Sequence, residues 1–413
     1  MGDLFYDRRH GDGATATFRL SAGTPSLQPA TALSGSYDLL IVGGGIYGAW
    51  TALEGALRGL RVALVERGEW ASGTSRASSK LIHGGLRYLE HGDVGLVRKA
   101  LRERSRLLRL APHRVHPLRF VVPVTQHGRL SRPLLHAGLF LYDTLAGDLA
   151  GVERHAAWRR AEVLGAAPFL TPDVVGGFTY GDAGTDDAAL VRDIVTAAQC
   201  AGAVCCAHTA VAQLERVGKR VIGAALANGM TLRAQATVVA AGPWACALVG
   251  LDSSTVVRFT KGVHVVLPPL PLPRGGPWEV SDTAFLLTSP RDGRVFFLIP
   301  WRGGTMVGTT DTDWLGSPDA LRVEPEDVDY LVSAVAATCP GLGWTTADVR
   351  DSWVGLRTLR RGPTQALGAS ALSREWELVQ PAPGVFLPLG GKLTSARVEA
   401  VHIIQAVLAA QTA

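Results

Sequence analysis

No stretch of this 413-residue chain reaches the roughly 18 consecutive apolar residues that a membrane-spanning helix needs. The N-terminus also lacks a basic segment followed by a continuous apolar core, so no secretory leader is expected. Cysteine is scarce: Cys200, Cys205, Cys206, Cys246 and Cys339 are odd in number and lack the paired spacing of a zinc site. That composition suits a reducing compartment and excludes a disulfide framework, and no metal is expected. Cys205 and Cys206 are adjacent and could form a redox pair, but their strand-like alternation favours plain packing. Neither sign of charge dominates, because 41 Lys plus Arg stand against 36 Asp plus Glu. The net charge of +5 favours acidic ligands or an anionic surface without specifying either, and nothing supports binding to nucleic acid. The chain is therefore expected to be cytoplasmic, or peripheral on the cytoplasmic face of a membrane.

What is present is apolar content, at 47%, over a length sufficient for one large core or two interleaved ones. Residues 1–36, rich in Gly, Ala, Thr, Ser and Pro, predict a flexible tail. Order is expected from Tyr37, where Tyr37–Val42 reads as a buried strand, Ala49–Leu57 as a helix and Arg61–Glu66 as a second strand. Val94–Leu110 predicts a basic amphipathic helix and Leu134–Leu149 a more apolar one. Short runs at Gly177–Tyr180, Val256–Leu267, Ala284–Leu287, Val295–Ile299 and Thr305–Gly308 predict an antiparallel sheet. Helix Ala188–Cys200, the strands at 237–242 and 385–389, and a helix from about Leu393 to Ala410 return to the strand-glycine-helix pattern of the start.

Between the first strand and helix stands Gly43-Gly44-Gly45-Ile46-Tyr47-Gly48, with Glu66 closing the next strand. In a dinucleotide-binding turn Gly43 makes the tight bend, Gly45 lets a pyrophosphate approach the backbone, and Gly48 permits close helix packing. Glu66 would accept from a ribose hydroxyl, which leaves both NAD and FAD open.

The stretch from Ser72 to Glu90 is more specific, reading SGTSRASSKLIHGGLRYLE. It resembles the signature of FAD-dependent glycerol-3-phosphate dehydrogenases, within the glycine-oxidase and D-amino-acid-oxidase structural class. Further matches are Asp186-Asp187, Ala241-Gly242-Pro243-Trp244, Lys261-Gly262-Val263-His264, Ile299-Pro300-Trp301, Gly308-Thr309-Thr310-Asp311, Gly355-Leu356-Arg357 and Gly390-Gly391-Lys392-Leu393-Thr394. The resemblance implies a mixed α/β fold in which a Rossmann-like FAD-binding domain (37–111, 186–255 and 354–413) interleaves with an antiparallel-sheet substrate domain (112–185 and 256–353). It implies that FAD is held by Gly43, Gly45, Gly48 and Glu66, by Thr74, Ser75, Ser78, Ser79, Lys80 and Leu81, and by Gly391, Lys392, Leu393 and Thr394. Backbone N–H groups opening the last helix would independently favour negative charge on a reduced flavin.

For the substrate, the resemblance places Arg87, Arg357, Arg374 and Lys392 at anion-binding positions, with His83, Tyr88 and His264 as polar partners. The implied reaction is oxidation of sn-glycerol 3-phosphate to dihydroxyacetone phosphate, with hydride passing to flavin N5, His264 taking the hydroxyl proton, and His83 the next candidate base. Electrons would go to a quinone or another acceptor. The alternative is a relative acting on another phosphorylated or carboxylated alcohol, as dehydrogenase or oxidase, or a flavin-binding protein without turnover. Two departures motivate the other-alcohol reading: the basic run Thr358-Leu359-Arg360-Arg361 after Arg357, and a length expected to lack the additional C-terminal helical domain of long members; a third, Tyr47 where an asparagine is common, lies at a non-glycine position and need not block binding. Nothing in the sequence sets the oligomeric state.

Overall fold

The computed structural model describes residues 20–126, 128, 131–147, 149–361 and 376–412. Along the chain the strands are β1 (Ser36–Val42), β2 (Val62–Val65), β3 (Leu81–Ile82), β4 (Val115–Thr125), β5 (Ala156–Arg159), β6 (Val174–Thr185), β7 (Val204–Cys206), β8 (Val211–Val217) and β9 (Arg220–Leu226). They continue as β10 (Thr231–Val239), β11 (Val257–Leu267), β12 (Thr283–Thr288), β13 (Val295–Trp301), β14 (Gly304–Gly308), β15 (Thr312–Trp314), β16 (Asp351–Arg360), β17 (Trp376–Ala382) and β18 (Val385–Gly390). The helices are α1 (Ile46–Leu57), α2 (Val94–Leu110), α3 (Arg132–Ala146), α4 (Arg160–Ala166), α5 (Asp187–Cys200), α6 (Ala245–Val249), α7 (Ser253–Val256), α8 (Pro325–Thr338) and α9 (Ala396–Thr412).

Two sheets result, as expected for a mixed α/β fold. The first runs β17-β18-β10-β1-β2-β7, parallel from β18 to β7, with the β8–β9 hairpin extending from β10. β1 is apolar throughout its middle because it is covered on both faces. Leu39 and Ile41 pack into the cluster shared with α1, α5 and α9, whereas Leu40 and Val42 pack into the cluster beside α6. The second sheet runs β15-β11-β14-β13-β12-β4-β6-β3, with β16 beside β11 and β5 beside β6.

Several expectations shift. The arm expected to be loose up to Ser36 is stitched down from Leu20, which is buried and whose N–H donates to Leu110 O at 2.7 Å. Gly23 N donates to Asp193, and Gln28 accepts from Cys205 N at 2.7 Å, so polar loop residues here find fixed partners on α5 and β7. Residues 1–19 lie outside the described residues. Strand β4 escaped the sequence reading because Pro117, Pro123, His116 and Arg119 break its apolar rhythm, yet it pairs with β6 over eleven positions. A boundary drawn at 354 falls inside β16, which hydrogen-bonds along β11 in the second sheet. Helix α3 begins at Arg132 because Ser131 caps it, and it stops before Gly147, whose φ is 63°.

Under the second sheet lies a buried polar knot. Arg104 of α2, 1% exposed, donates to Asp182 Oδ1 at 3.0 Å and to Gly181 O at 2.9 Å. Tyr142 of α3 donates to Asp182 Oδ2 at 2.7 Å, and Gly84 N donates to the Tyr142 hydroxyl at 2.9 Å. Burial still leaves the Asp182 carboxyl above its ordinary range, despite the guanidinium beside it. Arg104→Met strands that carboxylate, and should cost about 3–5 kcal/mol. The check is a shift of the denaturant midpoint at unchanged m-value; a midpoint equal to that of the wild type would show the knot to be without energetic weight.

Candidate functional site

The site begins where β1 runs into α1. Gly43 turns the chain at φ 112°, and a Cβ there would sit 2.6 Å from the carbonyl oxygen of Ala240. Gly45 caps the helix, and a Cβ on Gly48 would overlap the carbonyl oxygen of Gly43. The first turn of α1 therefore starts close against the strand end, beside a cavity that Gly45, Ile46 and Tyr47 border. Glu66 sits just past β2 and accepts from Gly44 N at 2.6 Å and Gly68 N at 2.8 Å. Each of its oxygens keeps a lone pair for a ribose hydroxyl.

The hydroxyl-rich segment wraps the same cavity. Thr74 donates to Leu356 O at 2.8 Å, and Ser75 accepts from Ile46 N at 2.9 Å. Ser78 donates to Asp187 Oδ2 at 2.6 Å, and Ser79 Oγ lies 2.9 Å from His264 Nε2. Thr74, Ser75, Ser78, Ser79 and Leu81 all border the cavity. Lys80 does not. Its backbone is left-handed, at φ 56°, and its side chain turns into the protein to bind Asp187 Oδ1 at 2.7 Å and the carbonyl of Arg76. The ammonium lies 5.1 Å from the Trp301 ring centre and 5.0 Å from that of Trp353. The Lys80 ammonium, expected around pyrophosphate and flavin, is thus directed to a carboxylate and ring faces inside the protein and not into the cavity.

Strands β11 and β16 carry the next group. His264 is buried, stacked on Trp353 with ring centres 5.5 Å apart, and both residues face each other across the strand pair. Arg357 is gripped by Asp311 Oδ1 at 3.1 Å and by Thr309 Oγ1 at 2.8 Å, and still borders the cavity. Elsewhere on the cavity's border, Gly85 turns the chain at φ 76° into a short helix carrying Arg87 and Tyr88. The Tyr88 ring lies under the Lys392 ammonium at 3.7 Å and the Arg87 guanidinium at 5.7 Å. His83 N donates to Thr394 Oγ1 at 3.2 Å, linking this loop to the connection between β18 and α9.

One cavity of about 1440 Å³ is bordered by Gly43, Gly45, Glu66, His83, Arg87, Tyr88, His264, Arg357 and Gly391 to Thr394. That exceeds the roughly 300–1,000 Å³ of an ordinary small-molecule site and suits a dinucleotide plus a substrate. Gly48 serves behind it, by packing. Arg374 lies outside the described residues. Sequence reasoning missed Asp311 and Thr309 as the holders of Arg357, although both stand in the quoted Gly308-Thr309-Thr310-Asp311 stretch. It also missed the apolar end of the cavity, where Phe120, Val122, Leu135, Leu141, Leu170 and Phe297 form the walls. Those residues lie far apart in sequence and carry no motif.

Comparison with known proteins fits this geometry. Residues 38–394 match the family model described as FAD dependent oxidoreductase. This chain belongs to that family. Its fold and cofactor, FAD, are those of the FAD dependent oxidoreductases. It is 40% identical over 384 residues to glycerol-3-phosphate dehydrogenase 2 of Mycobacterium tuberculosis, covering 90% of this chain and 63% of that relative. It is 33% identical over 378 residues to the aerobic glycerol-3-phosphate dehydrogenase of Staphylococcus saprophyticus, covering 89% of this chain and 66% of the relative. The chain thus spans under two thirds of the length of the mycobacterial relative. Among solved structures, the glycerol-3-phosphate dehydrogenase of Bacillus halodurans complexed with FAD superposes with a TM-score of 0.71 at 28% identity, covering 93% of this chain and 66% of that one. Glycine oxidase from Geobacillus kaustophilus shares the fold, with a TM-score of 0.68 at 22% identity.

Burial pushes the His264 imidazolium down to a pKa of about 3, with the positive charges of Arg357 and Lys80 acting in the same direction. Its folded value lies below the unfolded one, near 6.5, so the unfolded chain binds the proton first. Stability of the unliganded protein should therefore fall as pH drops from about 6.5 toward 3. The difference in unfolding free energy between wild type and His264→Gln, measured at pH 7.5 and about pH 4.5, should shrink on the acid side; a pH-independent difference would contradict a neutral buried ring.

Proposed function

We propose that this chain oxidises sn-glycerol 3-phosphate to dihydroxyacetone phosphate, using FAD, and passes the electrons to a quinone or another acceptor. The observation that carries this reading is the convergence of a neutral histidine with Arg87, Arg357 and Lys392 on the cavity that also holds the glycine turn. The names of the mycobacterial and staphylococcal relatives support it.

The cradle fits the cofactor. Gly43, Gly45 and the first N–H groups of α1 would receive the pyrophosphate, Glu66 the ribose, Thr74 to Ser79 and Leu81 the middle, and Gly391 to Thr394 the flavin's far edge. When bound, FAD supplies the acceptor for the hydride leaving the carbinol carbon. The protein's own residues do the rest. Arg357, held by Asp311 and Thr309, keeps one orientation and presents a cation to the phosphate, and Arg87 and Lys392, which border the same cavity, add charge. His264 is unprotonated at neutral pH and can take the hydroxyl proton, while Ser79 orients its Nε2. An approaching dianion would offset the two cations that now depress its basicity. His83, on the facing loop, is the second candidate base.

Anaerobic mixing of the FAD-loaded protein with glycerol 3-phosphate should bleach the flavin absorbance. Arg357→Ala should keep its flavin yet lose roughly 10- to 100-fold in kcat/KM, the worth of one or two charged hydrogen bonds. An unchanged kcat/KM would remove Arg357 from the phosphate site. The apolar end of the cavity favours a second reading, a larger phosphorylated or carboxylated alcohol, for which glycerol 3-phosphate would leave the flavin oxidised while the larger alcohol bleaches it.

We further propose peripheral contact with anionic lipid. Helix α2 exposes Arg98, Arg102, Arg106 and Arg109, and its neighbour α3 exposes Leu134 at 60% and Phe140 at 64%. No helix among the described residues is long and apolar enough to cross a membrane. The protein should co-float with vesicles containing phosphatidylglycerol and not with neutral ones; equal behaviour on both would remove this part of the reading.

A further inference from the structure

Tyr47 stands beside Ile46 at the mouth of the glycine turn, in the first turn of α1. Its ring borders the cavity, but its hydroxyl reaches the other end of the chain. It donates to Glu399 Oε2 in α9 and accepts from the backbone N–H of Lys392. Glu399 is itself buried, and its second oxygen binds Lys99 of α2 at 2.9 Å. Gly391, at φ 80°, passes so close that a Cβ there would overlap the Tyr47 hydroxyl. Burial and the Glu399 carboxylate both hold the phenol well above its ordinary pKa, so it stays a donor at every physiological pH.

The connection from β18 to α9 is thus pinned by a side chain from α1 rather than by its own backbone alone. Gly390 to Thr394 border the cavity, and their peptide orientation decides which backbone donors face a bound flavin. We propose that Tyr47 is a positioning residue for the flavin: through its hydroxyl it clamps the Gly391–Lys392 peptide and shields the Glu399 carboxylate behind it. This inference rests on the reading of the cavity as the FAD site. Two separate consequences follow. The clamp sets how tightly the cofactor is held, and the shielding sets how much negative charge reduction meets, because a carboxylate left with Lys99 as its one remaining partner opposes electron uptake more than one that Tyr47 also donates to.

The test is reconstitution of apoprotein with FAD, followed by flavin fluorescence, and measurement of the reduction potential of each reloaded protein against a reference dye. Thermal melting of the apoproteins reports folding. Tyr47→Phe should bind FAD roughly 10-fold more weakly, since one hydrogen-bonded clamp is lost, and its flavin should become harder to reduce. Glu399→Gln keeps a partner for Tyr47 while removing the charge, so FAD affinity should stay within about threefold and the potential should rise. Opposite shifts of potential in the two variants are a signature that a merely structural role would not produce. Wild-type affinity and potential in both would overturn the proposal, as would an unchanged potential in Glu399→Gln if Tyr47→Phe fails to fold. A wild-type protein that takes up no FAD would overturn the cofactor reading and this role with it, whereas loading by the wild type with unaffected variants overturns this role alone.

Discussion

Helix α1 starts against the carbonyl of Gly43 with no room for a methyl group at Gly48, and much of the molecule is arranged around that contact. Because the helix can begin so near the end of β1, its N-terminal N–H groups open directly on the cavity. Its far side then packs between α5 and α9, which closes one face of the parallel sheet. The same closeness brings Tyr47 within reach of Gly391, so the two glycine turns at opposite ends of the chain become neighbours. A bulkier residue at Gly48 would push α1 away from the sheet and dissolve all of these relations together.

Around this frame the protein sorts its positive charges by task. Lys80 and Arg104 are buried with Asp187 and Asp182, where they brace the loop carrying His83 and Arg87. Such pairs specify geometry more than they stabilise, because each ion loses its water. Arg357, Arg87 and Lys392 border the cavity instead, one gripped by Asp311 and the others resting on the Tyr88 ring. The histidine among them stays neutral chiefly because it is buried, and secondarily because of the positive potential of Arg357 and Lys80, a potential that also attracts an anion.

The parallel sheet and the glycine turn were legible in the sequence because they rest on local patterns, such as the unbroken apolar run of β1 and the spacing from Gly43 to Gly48. The serine-rich segment was legible through resemblance, and Ser75, Ser78 and Ser79 do border the cavity. The direction of the Lys80 side chain was not legible, since only the fold brings Asp187 and two tryptophans around it. The arm from Leu20 looked loose because its residues lack periodicity, whereas its order comes from hydrogen bonds to α5 and β7, far along the chain. Tyr47 was visible as a departure from the pattern, but its partner Glu399 is separated from it by nearly the whole chain.

The first sheet is completed by strands from distant parts of the sequence: β1 pairs with β10, and β10 pairs with β18. During synthesis β1 and α1 emerge early; β2, α5 and β10 can cover part of their apolar surface as they follow, but the side of α1 that packs on α9 stays open until the end of the chain has been made. The second sheet, by contrast, can assemble β4 and β6 while the ribosome is still working. The newborn chain therefore carries an unfinished nucleotide half behind a partly built partner, and its dependence on chaperones should be greatest in that interval.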